Sequence, residues 1–420
     1  MKEITIIGQG YVGLPLAKAF CSAGYRVVGL DSSLSKVQSL ISRESNIEDV
    51  SSEDLDLMFA SGYTPTNSTS SIQNSDAVVI CVPTPLGLNG EPDLSFVVDA
   101  ATSVASFLKP GALVVLESTT YPGTTEEVLL PIFEKKGLVH GKDFFLAFSP
   151  ERIDPGNIQF GIRNTPKVVG GVSAESCSMA SALYESICDH VVSVSGTREA
   201  EMSKLLENTY RHVNIALVNE LAIVCHQLGI DVREVIRAAK TKPFGFEPFY
   251  PGPGVGGHCI PIDPNYLNFK VQKELGRKFE FISLATKVNS DMPKYVTTRV
   301  LNLIQENQVG LRSGKVLLVG VSYKSNISDV RESPAIKVAQ TLFASGLEVA
   351  YHDPLVDEWM VDGSAIPRIS TLDESIESFD CVVLLQNHND ICLEILAEHS
   401  RLLFDTRGVI PKGDPRVFFL

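Results

Sequence analysis

One cysteine of the chain lies in a loop-forming segment instead of an apolar run. It is Cys259, within residues 249–264 (FYPGPGVGGHCIPIDP), a segment that holds four glycines and four prolines. Such a loop can bring backbone close to a ligand and is poorly suited to a core. The pattern predicts a helix start just after Cys259, and a helix N-terminus lowers the pKa of a thiol and favours the nucleophilic thiolate. A covalent role and a loop thiol without a role both stay open on these residues alone.

Other polar residues also have two interpretations each. Lys204 and Asn208 are four apart in a helical pattern, so they share one helix face, which is either solvated or a polar site; the solvated face is the commoner case. Glu151 either forms a surface ion pair with Arg152 or acts as a general acid or base. Asp263 precedes a proline, as a helix N-cap does, and both a structural and a catalytic role are compatible with that position.

A glycine-rich turn near the start of the chain is typical of dinucleotide binding. The motif GQGYVG at residues 8–13 follows a β-branched run and opens a helical pattern, and Asp31 ends the next strand-like run. Gly8 permits the tight turn, Gly10 lets backbone approach a pyrophosphate, and Gly13 lets helix and strand pack closely. The helix N-terminus offers N–H groups to the phosphates. Asp31 can accept hydrogen bonds from a ribose 2′-hydroxyl and repels a 2′-phosphate, so the sequence favours NAD over NADP.

Alternating strand and helix patterns indicate the elements that position these residues. Up to about residue 196 the chain repeats strand–helix units, which predicts a doubly wound, mainly parallel sheet. Residues from Arg198 to about Gly229 then keep helical spacing, and a helix this long usually connects two domains. The strand–helix rhythm restarts at Lys315. We predict an α/β protein in which two Rossmann-like doubly wound domains are joined by a long central helix and an all-helical region.

Composition excludes several classes of protein. With 420 residues, 44% hydrophobic and 20% charged, the chain is neither a disordered tail nor a fibre. The formal charge of −14 argues against a nucleic-acid partner, so any bound phosphate must meet local donors. No apolar run approaches the about 20 residues of a membrane helix, and no signal peptide is recognised, so we expect a cytoplasmic protein without a membrane partner. The eight cysteines form no C-x-x-C pair, so we expect neither a disulfide framework nor a metal site.

A series of motifs, in order along nearly the whole chain, resembles the UDP-glucose/GDP-mannose dehydrogenase family. The motifs are the glycine turn at 8–13, CVPTP at 81–85, EST at 117–119, SPER at 149–152, Lys204 with Asn208, GGHCIPID at 256–263, and YK at 323–324 with DVRESP at 329–334. The resemblance implies an NAD-dependent, two-step, four-electron oxidation of a sugar C6 alcohol to a carboxylate. Cys259 would capture the aldehyde as a thiohemiacetal, which a second hydride transfer would convert to a thioester for hydrolysis by water.

The resemblance also implies roles for other residues. Lys204 would stabilise the developing oxyanion, with Asn208 as a second donor. Asp263 and Thr119 would position water and relay protons, and Glu151 would act as general base on the thioester. The implied cofactor-binding residues are Gly8, Gly10, Tyr11, Val12, Gly13, Asp31, Thr84, Thr119 and Arg331. The implied substrate-binding residues are Glu151, Arg152, Ile153, Lys204, Asn208, Tyr250, Gly252, Gly256, Lys324 and Arg407.

The family layout predicts three domains and an oligomer. Residues 1–196 would bind NAD, residues 197–308 would form a helical dimerisation domain that carries the cysteine loop, and residues 309–420 would bind the UDP-sugar. The first strand of the C-terminal domain is not followed by G-x-G-x-x-G, so a second dinucleotide site is not expected there. For Arg331, a surface charge is as plausible as a ligand contact. We expect a homodimer or a larger homo-oligomer.

The substrate prediction rests on residues 149–156, SPERIDPG. Family members that act on UDP-glucose carry NPEFL(R/A)EG there, so this chain lacks their second acid. Together with ESTTYPGTT at 117–125, the segment resembles the bacterial branch that oxidises UDP-N-acetylhexosamines. UDP-N-acetylglucosamine is the first candidate and UDP-N-acetylgalactosamine is close behind it, and UDP-N-acetylmannosamine and UDP-glucose are further alternatives.

Two other functions compete with this prediction. A two-electron β-hydroxyacid dehydrogenase also joins a Rossmann domain to a helical domain with a Lys-x-x-x-Asn pair, but it needs neither Cys259 nor a second α/β domain. A non-catalytic NAD-sensing module would explain residues 8–31 and nothing after about residue 197. The yield of NADH per sugar separates the three hypotheses.

Overall fold

The computed structural model describes residues 2–45, 47, 49–87, 90–153, 157, 159–257, 260–307 and 314–420. Cys259 and His258 lie outside the described residues. The chain divides into two units, of which unit 1 is Met1–Glu207 with Asn265–Arg277, and unit 2 is Asn208–Pro264 with Lys278–Leu420.

Unit 1 is built on a sheet with a dinucleotide-fold strand order. Its strands are β1 (Glu3–Ile7), β2 (Arg26–Leu30), β3 (Thr64–Thr66), β4 (Ala77–Ile80), β5 (Ala112–Leu116), β6 (Phe144–Phe148), β7 (Lys167–Gly171) and β8 (Val191–Ser193). In the described part of the chain they lie in the order β3-β2-β1-β4-β5-β6-β7-β8. The first six follow the 3-2-1-4-5-6 order that binds dinucleotides where the order reverses, between β1 and β4. Neighbouring strands are parallel except β6 and β7, which are antiparallel.

Helices cover both faces of this sheet. They are α1 (Gly13–Ser22), α2 (Leu34–Ile41), α3 (Ser52–Ala60), α4 (Ser95–Phe107), α5 (Leu130–Lys135), which continues a π-helical turn at Thr125–Leu129, and α6 (Ala174–Tyr184). Every residue of β4, β5 and β6 is buried, as expected for strands enclosed on both faces. Val79 and Val115 pack into the core on one face, while Val78 and Val114 pack into the core on the other. The strand–helix alternation predicted from the sequence is confirmed.

A single helix, α7, runs from Thr197 to Leu228 over 32 residues. It confirms the long helix predicted from the helical spacing of this region. The later helices are α8 (Val232–Lys240), α9 (Asp263–Leu275) and α10 (Glu280–Glu306). The described residues between α8 and α9 form neither helix nor strand, as their glycine and proline content predicts.

Unit 2 contains a second, parallel sheet. The elements are β9 (Lys315–Val319), α11 (Pro334–Ala344), β10 (Glu348–His352), a hairpin of β11 (Met360–Val361) and β12 (Ser364–Ala365), β13 (Cys381–Leu384), α12 (Leu393–His399), β14 (Leu403–Asp405) and β15 (Val417–Phe419). Among the described residues the sheet order is β10-β9-β13-β14-β15. Counted within the sheet this is 2-1-3-4-5, the other common doubly wound order, with its reversal between β9 and β13. The second Rossmann-like domain is therefore confirmed.

In the described ranges of the chain, no helix is long and apolar enough to cross a bilayer.

Candidate functional site

The glycine turn of unit 1 lies at the carboxyl end of β1, where the strand order reverses. Gly8 has φ +95°, and a Cβ on it would lie 2.6 Å from the carbonyl oxygen of Cys81. A Cβ on Gly13 would collide with the carbonyl oxygen of Gly8. At Gly10, in contrast, no described heavy atom lies within 4 Å of where a Cβ would be, which leaves room for a ligand. The backbone therefore requires two of the glycines, and the third faces space that fits a pyrophosphate.

The first turn of α1 opens onto the same space. The N–H of Leu14 donates to the carbonyl oxygen of Gly10 at 3.1 Å, so helical hydrogen bonding starts from the turn itself. The first N–H groups of a helix have no partner within it, and they suit an anion. Tyr11 and Val12 are half-buried between the glycines. The structure thus brings together the residues predicted to hold the phosphates of NAD.

Asp31 immediately follows β2 and is buried. Its carboxylate accepts hydrogen bonds from the backbone N–H of Gln9 at 2.8 Å, the backbone N–H of Ser33 at 2.9 Å and Lys36 Nζ at 2.8 Å. Burial opposes ionisation of Asp31, but these hydrogen bonds outweigh it and hold its pKa below the usual value. The sequence analysis did not identify Lys36 as a partner of Asp31. The sequence indicates this pairing only through the position of Lys36, five residues after Asp31 and in the first turn of the next helix.

The loops after β4 and β5 lie side by side at this edge of the sheet. Ser118 Oγ donates to the carbonyl oxygen of Val82 at 2.7 Å, which ties the two loops together. The half-buried Thr119 follows Ser118. In the loop after β4, the carbonyl oxygen of Thr84 accepts a hydrogen bond of 2.7 Å from the hydroxyl of Tyr266. Thr84 and Thr119 are therefore on neighbouring loops, as cofactor contacts at one sheet edge would be.

Glu151 and Lys204 are in contact in unit 1. Lys204 Nζ donates to the backbone carbonyl of Glu151 at 2.5 Å, and the two residues are only 9% and 8% exposed. The Glu151 carboxylate oxygen Oε1 accepts from the backbone N–H groups of Arg152 at 2.7 Å and Ile153 at 2.5 Å. The Arg152 guanidinium pairs instead with Glu207 at 2.8 Å. The solvated-face interpretation of Lys204 and the Glu151–Arg152 surface pair are thus both wrong for this fold.

In unit 2, Asn208 and Asp263 are also in contact. Asn208 Nδ2 donates to Asp263 Oδ2 at 2.5 Å, and Asp263 is buried as the first residue of α9. An amide and a carboxylate held together in this way can position a water molecule and accept its proton. Cys259 lies outside the described residues, four positions before Asp263 in the sequence.

The described part of the cysteine loop packs against the loop that follows β9. A Cβ on Gly256 would lie 2.6 Å from the carbonyl oxygen of Glu332, so the two backbones approach closely there. The N–H of Gly252 donates to Asn219 Oδ1 at 3.0 Å, which fixes the start of the loop to α7. Tyr250 is exposed.

The loop after β9 lies where the strand order of unit 2 reverses, and it carries Lys324. The backbone carbonyl of the half-buried Lys324 accepts a hydrogen bond of 2.7 Å from Ser322 Oγ. Arg331 is exposed, and its guanidinium forms a two-point ion pair with Asp329 at 2.9 and 2.8 Å. Both interpretations of Arg331, surface charge and ligand contact, remain compatible with this position.

Two arginines of unit 2 meet beside Gly252. The Arg407 guanidinium donates through Nε to the carbonyl oxygen of Leu385 at 2.6 Å, and its Nη1 would lie 3.0 Å from a Cβ on Gly252. Arg233 donates to the carbonyl oxygen of Thr406 at 2.9 Å. Burial, and then the charge of Arg233, lower the pKa of Arg407 to about 10. An anion placed here would relieve the repulsion, which suits the phosphate role predicted for Arg407. Sequence reasoning missed Arg233, which no motif singles out.

Asp405 organises the backbone that presents Arg407. Its buried carboxylate accepts four hydrogen bonds of 2.7 to 2.8 Å from consecutive backbone N–H groups, at Arg407, Gly408, Val409 and Ile410. A carboxylate that satisfies four donors fixes the loop after β14 in a single conformation.

Comparisons with known proteins agree with this arrangement. Three domains of the UDP-glucose/GDP-mannose dehydrogenase family match the chain: the NAD binding domain at residues 2–188, the central domain at 198–291 and the UDP binding domain at 317–412. The chain is 35% identical over 425 residues to a UDP-N-acetyl-D-mannosamine dehydrogenase of Methanococcus maripaludis, covering 98% of this chain and 93% of that one. It is 35% identical over 391 residues to a UDP-N-acetyl-D-glucosamine 6-dehydrogenase of Pseudomonas aeruginosa, covering 92% and 91%.

Among solved structures, the chain is similar to a UDP-D-ManNAc dehydrogenase from Pyrococcus horikoshii, with a TM-score of 0.89 and 32% identity over 99% of this chain and 98% of that one. The glycine turn, the buried Asp31 and the two doubly wound sheets are what an NAD-binding and a UDP-binding domain require. The chain therefore belongs to the UDP-glucose/GDP-mannose dehydrogenase family and is an NAD-dependent oxidoreductase that acts on a nucleotide sugar.

Proposed function

We propose that the chain oxidises the C6 alcohol of a UDP-N-acetylhexosamine to a carboxylate in two successive NAD-dependent steps. The contact between buried Lys204 and Glu151 at the cofactor edge of unit 1 is the observation that carries this proposal. This contact supports the proposal because an ammonium could stabilise an oxyanion and a nearby carboxylate could activate water, and both residues are buried.

The chemistry divides into two oxidations and a hydrolysis. Bound NAD supplies a hydride acceptor, one molecule for each oxidation. The first oxidation converts the C6 alcohol to an aldehyde with loss of a hydride and a proton. The thiol of Cys259 then adds across the aldehyde to form a C–S bond and a thiohemiacetal, and loss of a second hydride and a proton gives a thioester. Water breaks the C–S bond, which releases the carboxylate and regenerates the thiol.

The residues of this chain would stabilise charge and move protons. The Lys204 ammonium is fixed by the Glu151 carbonyl in a buried position, where electrostatic stabilisation of an oxyanion is stronger than in water. Glu151 would take a proton from the attacking water. Asn208 would be a second donor, and Asp263 and Thr119 would position water and relay protons. Thr84, Thr119 and Arg331 would add contacts to NAD.

Binding of the sugar nucleotide is assigned by charge and position. Arg407 and Lys324 would bind the phosphates, because each is a cation beside a strand end of unit 2. The sugar nucleotide would also contact the cysteine loop, through Tyr250, Gly252 and Gly256. Arg152 and Ile153, which follow the proposed general base Glu151 in the sequence, would add further contacts.

The sugar is proposed to be N-acetylglucosamine. Residues 149–156 and 117–125 resemble the branch that acts on UDP-N-acetylhexosamines, and a relative from Pseudomonas aeruginosa carries the name UDP-N-acetyl-D-glucosamine 6-dehydrogenase. The C2 epimer, UDP-N-acetylmannosamine, is the second candidate, because relatives from Methanococcus maripaludis and Pyrococcus horikoshii carry that name.

We further propose that residues 1–196, 197–308 and 309–420 act as NAD-binding, dimerisation and UDP-sugar-binding domains in the cytoplasm. The ranges that match the family's three domains support this division.

A substrate panel tests the reaction and the sugar together. UDP-N-acetylglucosamine, its galacto and manno epimers and UDP-glucose are each incubated with NAD, and NADH and the acid are quantified. We expect about two NADH per sugar, since each oxidation transfers one hydride, and the highest kcat/KM for UDP-N-acetylglucosamine. Preference for the manno epimer would select the second candidate. One NADH per sugar with no acid would contradict the four-electron reaction.

Replacement of Cys259 by serine tests the covalent step, and replacement of Cys392 is the matched control. Cys259→Ser should bind NAD and the UDP-sugar normally but form acid at below about 1% of the wild-type rate, because an alcohol is a far weaker nucleophile than a thiolate. Cys392→Ser, which changes an exposed cysteine of unit 2, should retain wild-type activity. Acid formation by Cys259→Ser near the wild-type rate would remove the covalent step from the proposal.

Cofactor preference should depend on the Asp31–Lys36 pair. Asp31→Ser is expected to lower kcat/KM with NAD about tenfold by removing a charged acceptor, and to raise activity with NADP because Lys36 loses its partner carboxylate. Asp31→Ser with Lys36→Ala should lose that gain. Asp56→Ser, which breaks the exposed pair with Arg43, is the control. Steady-state kinetics measure kcat/KM of each variant with NAD and with NADP. An unchanged kcat/KM with NADP in Asp31→Ser would count against this role of Lys36.

An exposed apolar stripe supports the proposed homodimer. On α7, Tyr210, Leu217 and Val224 are 45%, 60% and 43% exposed, and they are spaced seven residues apart, so they share one face. Such a row is typical of a helix that packs against another helix. A second copy of α7 is the proposed partner.

Disrupting the stripe should dissociate the dimer. Leu217→Glu places a charge in the apolar contact, so the variant should elute as a monomer at concentrations where the wild-type protein is a dimer. Leu57→Glu, at a comparably exposed leucine of α3, should leave the mass unchanged. Light scattering coupled to size-exclusion chromatography measures both. A monomeric wild-type protein, or a dimeric Leu217→Glu variant, would refute the α7 interface.

A further inference from the structure

A closed cluster of ionisable side chains lies beneath Glu151 in unit 1. Lys167 Nζ is 2.8 Å from Glu117 Oε2 and 3.6 Å from Glu151 Oε2. The Tyr184 hydroxyl donates to Glu117 Oε1, and the Lys167 ammonium lies 5.0 Å from the centroid of the Tyr184 ring. All four side chains are buried. Lys167, Glu117 and Tyr184 are not among the residues proposed to contact the substrate or NAD.

The reversal of β7 explains how a lysine reaches this position. In the antiparallel pair of β6 and β7, Phe148 is opposite Gly170. Continuing that register past the end of β6 brings residue 151 opposite residue 167. A parallel seventh strand would have presented its first residue at the other end of the sheet. The antiparallel strand therefore places Lys167 at the edge where the catalytic candidates lie.

The two carboxylate oxygens of Glu151 have different neighbours, backbone N–H groups for Oε1 and the Lys167 ammonium for Oε2. Oε1 accepts two backbone hydrogen bonds, whereas Oε2 is 3.6 Å from Lys167 Nζ, which is longer than a hydrogen bond. At that distance the ammonium stabilises the negative charge without occupying the lone pairs of Oε2. That oxygen can therefore accept a proton from water while its charge remains compensated.

We propose that Lys167 is a positioning residue that orients the Glu151 carboxylate and compensates its charge for thioester hydrolysis. Glu117 and Tyr184 in turn hold the Lys167 ammonium in place. This inference rests on the proposed function, in which Glu151 is the general base.

The remaining groups around Glu151 leave this charge balance unchanged near neutral pH. Cys81, after β4, and Cys188, after α6, face the same cluster, and burial raises the pKa of Cys188 to about 11 and that of Cys81 well above its usual value. Burial also raises the pKa of Tyr184. These three groups are thus neutral.

The ionisable groups that remain are the carboxylates of Glu117 and Glu151, the ammonium groups of Lys167 and Lys204, and the Arg152–Glu207 ion pair. Burial opposes the charge of Lys167, but Glu117 and Glu151 outweigh it and raise the pKa of Lys167 above the usual value. Burial raises the pKa of Glu117, against the opposing effect of Lys167. Lys204, from α7, contacts the Glu151 carbonyl, and Arg152 is paired with Glu207. Within the described part of the chain, Lys167 is therefore the cation that pairs with the Glu151 carboxylate itself.

The test compares Lys167→Met and Lys167→Arg with the wild-type enzyme over a range of pH, with the best UDP-sugar of the panel and NAD. Rapid-quench kinetics separate the first NADH, the second NADH and acid release. In Lys167→Met we expect both NADH-forming steps to change less than about threefold, and acid release to fall about ten- to hundredfold at neutral pH. The acid limb of its pH profile should move up by about one to two pH units, so that high pH restores the rate. Lys167→Arg, which keeps the positive charge, should have an acid-release rate and an acid limb close to those of the wild-type enzyme.

Three variants separate the possible outcomes. Glu151→Gln should lose acid release at every pH; if it does not, the proposed function of Glu151 fails together with this inference. If Glu151→Gln fails to release acid but Lys167→Met has the wild-type pH profile, or slows every step equally, only the inference is refuted. Lys109→Met, which breaks an exposed pair with Asp76 in the same unit, should match the wild-type profile.

Removal of Lys167 leaves Glu117 buried without its cation, which can prevent folding. The double variant Lys167→Met with Glu117→Gln removes both charges of that pair, and thermal unfolding checks that it is folded. It should show the same upward shift of the acid limb. A folded double variant with an unshifted limb would refute the inference.

Discussion

Charge removed from water must be compensated locally, and this constraint organises the edge of unit 1 that carries Lys204 and Glu151. Lys204 and Glu151 are both buried, and the ammonium is solvated by the backbone carbonyl of the residue whose carboxylate is the candidate base. The same peptide segment supplies the two N–H groups that hold the carboxylate. A shift of this segment would therefore move Lys204, the proposed oxyanion donor, and Glu151, the proposed base, together. The proposed oxidation and hydrolysis steps would thus depend on the same short stretch of backbone.

Strand order determines which loops can contribute to the proposed NAD site of unit 1 and to the proposed sugar-nucleotide site of unit 2. In both sheets the strand order reverses once, and the loops at that reversal carry the glycine turn in unit 1 and Lys324 in unit 2. Parallel strands bring their carboxyl ends to one edge, which explains why Gly8, Thr84 and Thr119 lie on neighbouring loops although they are far apart in sequence. The exceptions, β7 and β8, run the other way, and β7 contributes its first residue to this edge instead of its last.

Local sequence patterns predicted the elements well because strand and helix periodicity is a short-range property. The glycine turn, Asp31 and the helix of α7 followed from spacing alone. Burial of Lys204 did not, because a charged helical residue is usually solvated and only tertiary contacts with Glu151 reverse that preference. Lys167 and its partner Glu117 are 50 residues apart and form no motif, so neither composition nor periodicity could indicate their pairing. The antiparallel direction of β7 was equally inaccessible, since the two directions have similar local patterns.

The charge arrangement of unit 2 bears on how an acidic chain would hold the phosphates proposed to bind beside Arg407. The formal charge is −14, but charges in solvent are screened over about 8 Å at physiological ionic strength, so nearby groups dominate at a binding site. Burial, and then the charge of Arg233, lower the pKa of Arg407, yet a pKa of about 10 keeps Arg407 protonated near neutral pH. Asp405 is committed to four backbone N–H groups, which limits how far it can move to neutralise either arginine. Phosphates bound beside Arg407, as proposed, would relieve the remaining repulsion between the two arginines and would thereby gain affinity.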